Sequence, residues 1–135
     1  MTIPNVAAVQ KMYAAFGRGD VPGVLEHVSE GTQWDYNGGR SEVAWHAPVT
    51  GRAELPRFFE AFGRGVEMQA FAPRELMHCG PHVLVDVHIE YTVRKTGRRV
   101  VQDQIHWWTF DEMHRAIRLR HFEDTAQVLA AVSAA

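Results

Sequence analysis

The chain has 135 residues, enough for one core and too few to share between two, so a single domain spanning residues 1–135 is expected. Hydrophobic residues make up 46% and charged residues 22%, a globular composition that excludes disordered, collagen-like and fibrous chains. Fourteen Lys and Arg against sixteen Asp and Glu leave a formal charge of −2, which argues against nucleic acid as a partner; protonating the eight His would carry that charge to +6, so association or binding is expected to respond to pH.

Val6, Val9, Met12, Tyr13 and Phe16 recur at three- and four-residue spacing, which predicts an amphipathic helix over 5–17 with Asn5 as N-cap and Gly17 as stop. Asp20 is expected to cap a short second helix that buries Val24, Leu25 and Val28 and ends at Gly31. A short strand over 32–36 follows, and then a long connection over 37–50 of the kind that often carries function. Leu55, Phe58, Phe59 and Phe62 mark a third helix within 51–65, with Pro56 tolerated in its first turn. Two-residue alternation then dominates, and the breaks at Gly80-Pro81, Lys95-Thr96-Gly97 and Asp111 to His114 divide it into strands near 66–78, 82–94, 99–110 and 116–123. A final helix capped by Asp124 or Thr125 carries Val128, Leu129 and Val132.

Helices first and long antiparallel strands afterwards predict an α+β domain whose helices cover one face of a curved sheet. In strand 82–94, Val83, Val85, Val87, Ile89 and Tyr91 share the face expected to meet the helices, and Asp86, His88 and Glu90 share the other. A single cysteine, Cys79, allows no internal disulfide, and no basic leader or run of about 18 apolar residues is present. A cytoplasmic setting without membrane contact is the expectation.

Four segments carry a family resemblance: Tyr13-Ala-Ala-Phe-Gly-Arg-Gly-Asp20 between the first two helices, Thr50-Gly-Arg-Ala-Glu-Leu-Pro-Arg-Phe-Phe59 opening the third, Phe71 to Gly80 before the long strand, and Ile105-His-Trp-Trp-Thr-Phe-Asp111 with Ile117 to Ala126. In that order and spacing they resemble the nuclear transport factor 2-like superfamily, in its SnoaL-like branch related to ketosteroid isomerase, over nearly the whole chain. The resemblance implies a cone-shaped domain in which a curved antiparallel sheet wraps around N-terminal helices and encloses an apolar pocket, commonly dimeric through the outer sheet face. The fold hosts isomerases, dehydratases, cyclases, epoxide hydrolases and non-catalytic modules, so function rests on the site. Where a ketosteroid-isomerase-like enzyme carries its carboxylate base this chain has Tyr36, with Asp35 one position earlier, and His106 stands at the second acidic position. An epoxide-hydrolase-like set would need an acid where His121 stands and an Arg-x-Asp where the chain reads Asp86-Val-His88-Ile-Glu90. Neither reaction keeps its carboxylates.

Alternation places Gln102, Gln104, His106, Trp108 and Phe110 on one face of strand 99–110, and the resemblance turns that face inward together with Ile117, Leu119, His121 and Glu123. Two imidazoles and a carboxylate would then converge on an apolar cavity, where desolvation favours neutral His and Glu123 opposes it. The candidate catalytic residues are His106 as general base, His121, Tyr36, and Asp35, which a one-residue register change would bring inside. Tyr36 or Tyr13 would donate to a developing oxyanion. Tyr13, Trp34, Trp45, Phe58, Phe62, Val87, Trp108 and Glu123 are the candidate substrate-contacting residues. The alternative for each aromatic is plain core, and for His106 and His121 it is satisfied core histidine.

The expected ligand is a small apolar molecule bearing a carbonyl or hydroxyl, handled without metal or organic cofactor. His82, His88 and Glu90 have metal-like spacing but fall on the outer face. Val101, Ile105 and Trp107 would leave an apolar patch there that homodimerisation covers. Arg94, Lys95, Arg98 and Arg99 form a solvated cluster. Two function classes remain: a cofactor-independent isomerase, dehydratase or cyclase-type enzyme, and a non-catalytic ligand-binding or protein-interaction module.

Overall fold

The computed structural model describes residues 3–133. Helix α1 runs Pro4–Gly17 and α2 Val21–Leu25; strand β1 spans Val28–Tyr36; a 3-10 turn at Ala44–His46 precedes the short β2, Val49–Thr50; a second at Arg52–Glu54 leads into α3, Leu55–Gly65. Strands β3 (Val66–Cys79), β4 (His82–Val93), β5 (Arg99–Phe110) and β6 (Ala116–Phe122) follow, and α4 closes the description at Thr125–Ser133. The six strands form one curved sheet in the order β2-β1-β6-β5-β4-β3. This is the expected α+β cone, with the sheet left open.

Strand β4 alternates without a break, Val83, Val85, Val87, Ile89, Tyr91 and Val93 all buried, because the helices cover only its inner face. Around α1 the core gathers Val9, Met12, Val28, Leu55 and Trp108; beneath α4 and the long connection it gathers Val43, Trp45, Tyr91, Val100 and Val128. Pro73 lies on β3, an edge strand, next to a bulge, where the missing N–H breaks no ladder.

Several local expectations are corrected. Helix α2 stops at Leu25, and β1 begins at Val28 rather than residue 32, so Val28 is a buried strand residue and Gly31 lies within the strand. Asn5 sits inside α1, whose N-cap is Ile3, and its Oδ1 instead accepts from His114 Nδ1 of the β5–β6 turn. Asp20 does cap α2, accepting from the Gly23 N–H at 3.0 Å, and Asp124 caps α4 by accepting from the Gln127 N–H at 3.0 Å. The sheet is not wholly antiparallel: β1 runs parallel to β6. A bulge where β5 meets β6 between Thr109 and Phe110 puts Ala116 and Leu119 inside and turns Ile117 outward, 39% exposed, against expectation.

Candidate functional site

A cavity of about 60 Å³ lies between the inner sheet face and helices α1 to α3. Tyr13 reaches it from α1, Trp34 and Tyr36 from β1, Trp45 from the long connection, Phe58 and Phe62 from α3, His106 and Trp108 from β5, His121 from β6 and Glu123 just beyond it. Ten of the twelve residues singled out from sequence therefore meet at one place. Two do not. Asp35 points to the outer face, where Oδ2 accepts from Arg118 Nη2 at 3.0 Å, because its neighbours Trp34 and Tyr36 take the inward positions of the strand. Val87 is packed with no exposure in the core outside the cavity lining.

The hydrogen bonds inside the cavity form one directed chain. The Arg40 backbone N–H donates to His46 Nδ1 (3.0 Å), so the His46 proton is on Nε2 and is donated to Glu123 Oε2 (2.6 Å). Gln104 Nε2–H donates to Glu123 Oε1 (2.9 Å), which turns the Gln104 carbonyl toward His106 to accept from its Nε2–H (2.9 Å). His106 Nδ1 then accepts the Tyr13 hydroxyl proton (2.7 Å), and Tyr13 Oη accepts from Trp108 Nε1–H (3.1 Å). Glu123 and His46 side chains are no more than 1% exposed.

Both nitrogens of His106 are therefore engaged. Its lone pair is held by Tyr13, and the Tyr13 proton is held by His106, so neither is offered to a ligand as the sequence suggested. Burial drives the His106 pKa well below its ordinary value, with neighbouring His121 adding to the effect, and burial raises that of Tyr13. The pair is a neutral hydrogen bond.

His121 differs. Its Nδ1–H donates to the Asp35 backbone carbonyl at 3.1 Å, and this is its only hydrogen bond among the described residues, leaving the Nε2 lone pair uncommitted. The ring is 4.0 Å from Tyr36 and 7° from parallel with it, and 4.9 Å from His106. Burial lowers its pKa to about 4, against the opposing effect of the hydrogen bond it donates to the Asp35 carbonyl. His121 is thus a neutral imidazole with one free basic nitrogen in an apolar cavity. Tyr36 and Tyr91 are held protonated by burial and by the charge of Glu123.

Three buried side-chain polar atoms lack a hydrogen-bond partner among the described residues, and two of them, Trp34 Nε1 and Tyr91 Oη, belong to cavity-lining residues. Leaving such a group unpaired costs about 1–3 kcal/mol. Sequence reasoning missed His46 and Gln104. Gln104 had a signal, an amide on the inner face of β5 beside His106, whereas His46 pairs with a residue 77 positions away and had none. On the outer face His88 bridges Asp103 (2.7 Å) and Glu90 (2.8 Å), hydrogen bonds that raise its pKa, and no group of His, Cys, Asp and Glu among the described residues has the arrangement of a metal site.

An α+β cone closed by helices over an aromatic cavity, with polar groups gathered at one end, defines the NTF2-like class of domain. The family model for the SnoaL-like domain matches residues 9–119, and the chain belongs to that family. It is similar over its length to an NTF2-like protein of unknown function from Burkholderia pseudomallei (27% identity, 98% of this chain and 100% of that one, TM-score 0.89). It is also similar to TerC, crystallised with polyporic acid (25% identity, 98% and 100%, TM-score 0.86). A candidate SnoaL-like polyketide cyclase from Jannaschia, 18% identical over 98% of this chain and 93% of that one, shares the fold with a TM-score of 0.79. No curated protein sequence matches the chain.

Proposed function

We propose that the cavity binds a small, mostly apolar carbonyl or hydroxyl compound and that the protein is a cofactor-independent acid–base enzyme of the isomerase, dehydratase or cyclase type, with His121 as the base. The observation that carries this reading is the free Nε2 of His121. A general base needs an unprotonated lone pair at neutral pH and a partner that fixes the ring, and the Asp35 carbonyl on Nδ1–H supplies the second requirement. TerC, similar in fold and 25% identical, was crystallised with polyporic acid, which supports a small organic molecule as the ligand of this cavity.

At about 60 Å³ the cavity is smaller than an aromatic ligand, so rings must give way on binding. Phe58, Phe59 and Phe62 on α3 are only partly buried, and theirs are the rings proposed to move. The second reading is a non-catalytic ligand-binding module, favoured by the self-satisfied chain from Trp108 to His46, which needs no ligand to be stable.

The test is an NMR pH titration of the individual His side chains with and without a panel of aryl ketones and phenols. His121 is expected to titrate near 4 and to shift when a compound binds. Titration of His121 as an exposed imidazole, with no compound binding, would overturn the reading. The same proposal includes a homodimer through the outer sheet face in a cytoplasmic protein. Val101 (44%) and Ile117 (39%) are exposed there, although Arg120 already covers Trp107 and Phe122 with its guanidinium 5.0 and 4.8 Å from the ring centroids. No helix among the described residues is long and apolar enough to cross a membrane.

A further inference from the structure

The geometry points to Trp34 as the group that holds the ligand's carbonyl oxygen, its indole Nε1–H serving as the donor to the oxyanion when His121 removes a proton from the adjacent carbon. This rests on the reading of His121 as base and adds the electrophilic half of the site. In the step, the C–H bond breaks, its proton goes to His121 Nε2, and its electron pair becomes the enolate whose negative oxygen Trp34 stabilises. Return of the proton to the enolate, at its oxygen or at the same carbon, regenerates His121 and completes a keto–enol exchange with no co-reactant.

Most donors that line the cavity are already engaged. The Tyr13 hydroxyl proton is committed to His106, Trp108 Nε1–H to Tyr13, His106 Nε2–H to Gln104, and the Gln104 amide to Glu123. The hydroxyls of Tyr36 and Tyr91 stand in the field of the Glu123 carboxylate, and a negative oxygen forming beside them would meet a like charge in a dry cavity. Trp45 lines the same cavity but packs against His46, Phe62 and Tyr91 and makes no ring contact with His121 among the described residues, so it stands away from the base. Trp34 remains: 5% exposed, with a buried and unpartnered N–H, its ring 6.4 Å from His121 and 5.5 Å from Trp108.

Its neighbours explain how an unpaired donor persists. The rings of Phe58 and Phe59, each 5.7 Å from Trp34, cover the indole, and they are side chains of α3 that a ligand would displace. An orphan donor held against movable rings gains its hydrogen bond only when ligand enters. The tyrosines named from sequence as oxyanion donors are thereby replaced.

The experiment uses the whole chain and two probes of one shape, acetophenone and α-methylstyrene, in which a methylene replaces the carbonyl oxygen. The indole N–H cross-peaks of the four tryptophans are followed by NMR, Trp34 being assigned from Trp34→Phe or, should that variant not fold, by elimination from Trp45→Phe, Trp107→Phe and Trp108→Phe. Acetophenone is expected to move the Trp34 cross-peak downfield and α-methylstyrene to leave it nearly in place. Trp34→Phe is expected to weaken acetophenone about tenfold and α-methylstyrene less than twofold, the loss of one hydrogen bond. A downfield shift at Trp45 instead, or equal weakening of both probes, would overturn the role of Trp34 while leaving His121 as base. Failure of both probes to bind at millimolar concentration would overturn the cavity reading and this inference with it.

Discussion

Tyr36 and His121 lie on neighbouring parallel strands in direct register, and their rings stack 4.0 Å apart at 7°. The phenol ring therefore forms one wall of the imidazole's environment. Tyr36→Ala is expected to admit water to that face and raise the His121 pKa from about 4 toward 6.5, while Tyr36→Phe keeps it low. NMR titration of the two variants checks this.

Stability should fall on acidification in a defined window. His121 has a folded pKa of about 4 against 6.5 when unfolded, so between those values the unfolded chain binds more protons and stability rises with pH. The contribution is intact above about 6.5, shrinks as pH falls, and is fully lost below about 4, an effect on the order of 3 kcal/mol for this group. His106, whose pKa is also held well below its ordinary value by burial, acts in the same direction. Urea midpoints measured from pH 7.5 to pH 4 should show the slope, and His121→Gln should reduce it.

The buried pair His46 and Glu123 invites a substitution series. His46→Ala removes one of two donors from a carboxylate that has no cation in the cavity lining and is expected to cost about 3 kcal/mol. Glu123→Gln should be comparably costly if its amide turns an N–H toward His46, since the Arg40 N–H holds the His46 proton on Nε2 and two donors would then face each other. The double variant His46→Leu/Glu123→Leu should be more stable than either single variant. Denaturant unfolding of the double variant and of His46→Leu and Glu123→Leu alone closes the cycle, and additive costs would show that the two residues are uncoupled.

Gly65 ends α3 under the indole of Trp45. A Cβ there would stand 2.5 Å from Trp45 Cζ3, with ring atoms rather than a flexible chain end in the way. Gly65→Ala is expected to push Trp45 out of its site between Phe62 and Tyr91 and to destabilise the protein by about 1–3 kcal/mol. The check is a lowered thermal midpoint together with a red shift in emission that Trp45→Phe abolishes.

Much of this fold is legible in the sequence because its strands are long and one-sided. The valines of β4 and the sequence Gln104, His106, Trp108, Phe110 on β5 announce their inner faces by alternation alone. Where backbone geometry departs from that period the reading fails. Ile117 shares parity with Leu119, yet the β5–β6 bulge sends it outward, and Gly31 reads as a helix stop though it lies within β1. The site divides the same way. Residues on regular strands face the side that alternation assigns, Val87 included although it lies outside the cavity lining, and Asp35 is turned outward by the same alternation that turns Tyr36 inward. Hydrogen-bond directions are set by long-range pairings such as His46 with Glu123 and Tyr13 with His106, 77 and 93 residues apart, so that His106 was committed and His121 free was not readable from composition or spacing.

The parallel pairing of β1 with β6 has a consequence for how the cavity comes into being. Every other junction in the sheet joins strands that turn antiparallel to each other, but Tyr36 meets His121 only after the chain has laid down everything between them. Closing so long a loop is entropically expensive, and contacts of this separation slow folding. A growing or truncated chain can complete the β3–β4–β5 meander and still have no binding site at all. The ring stack at the centre of the site thus doubles as the seam of the molecule, and a function read from it would report on complete folding as directly as on chemistry.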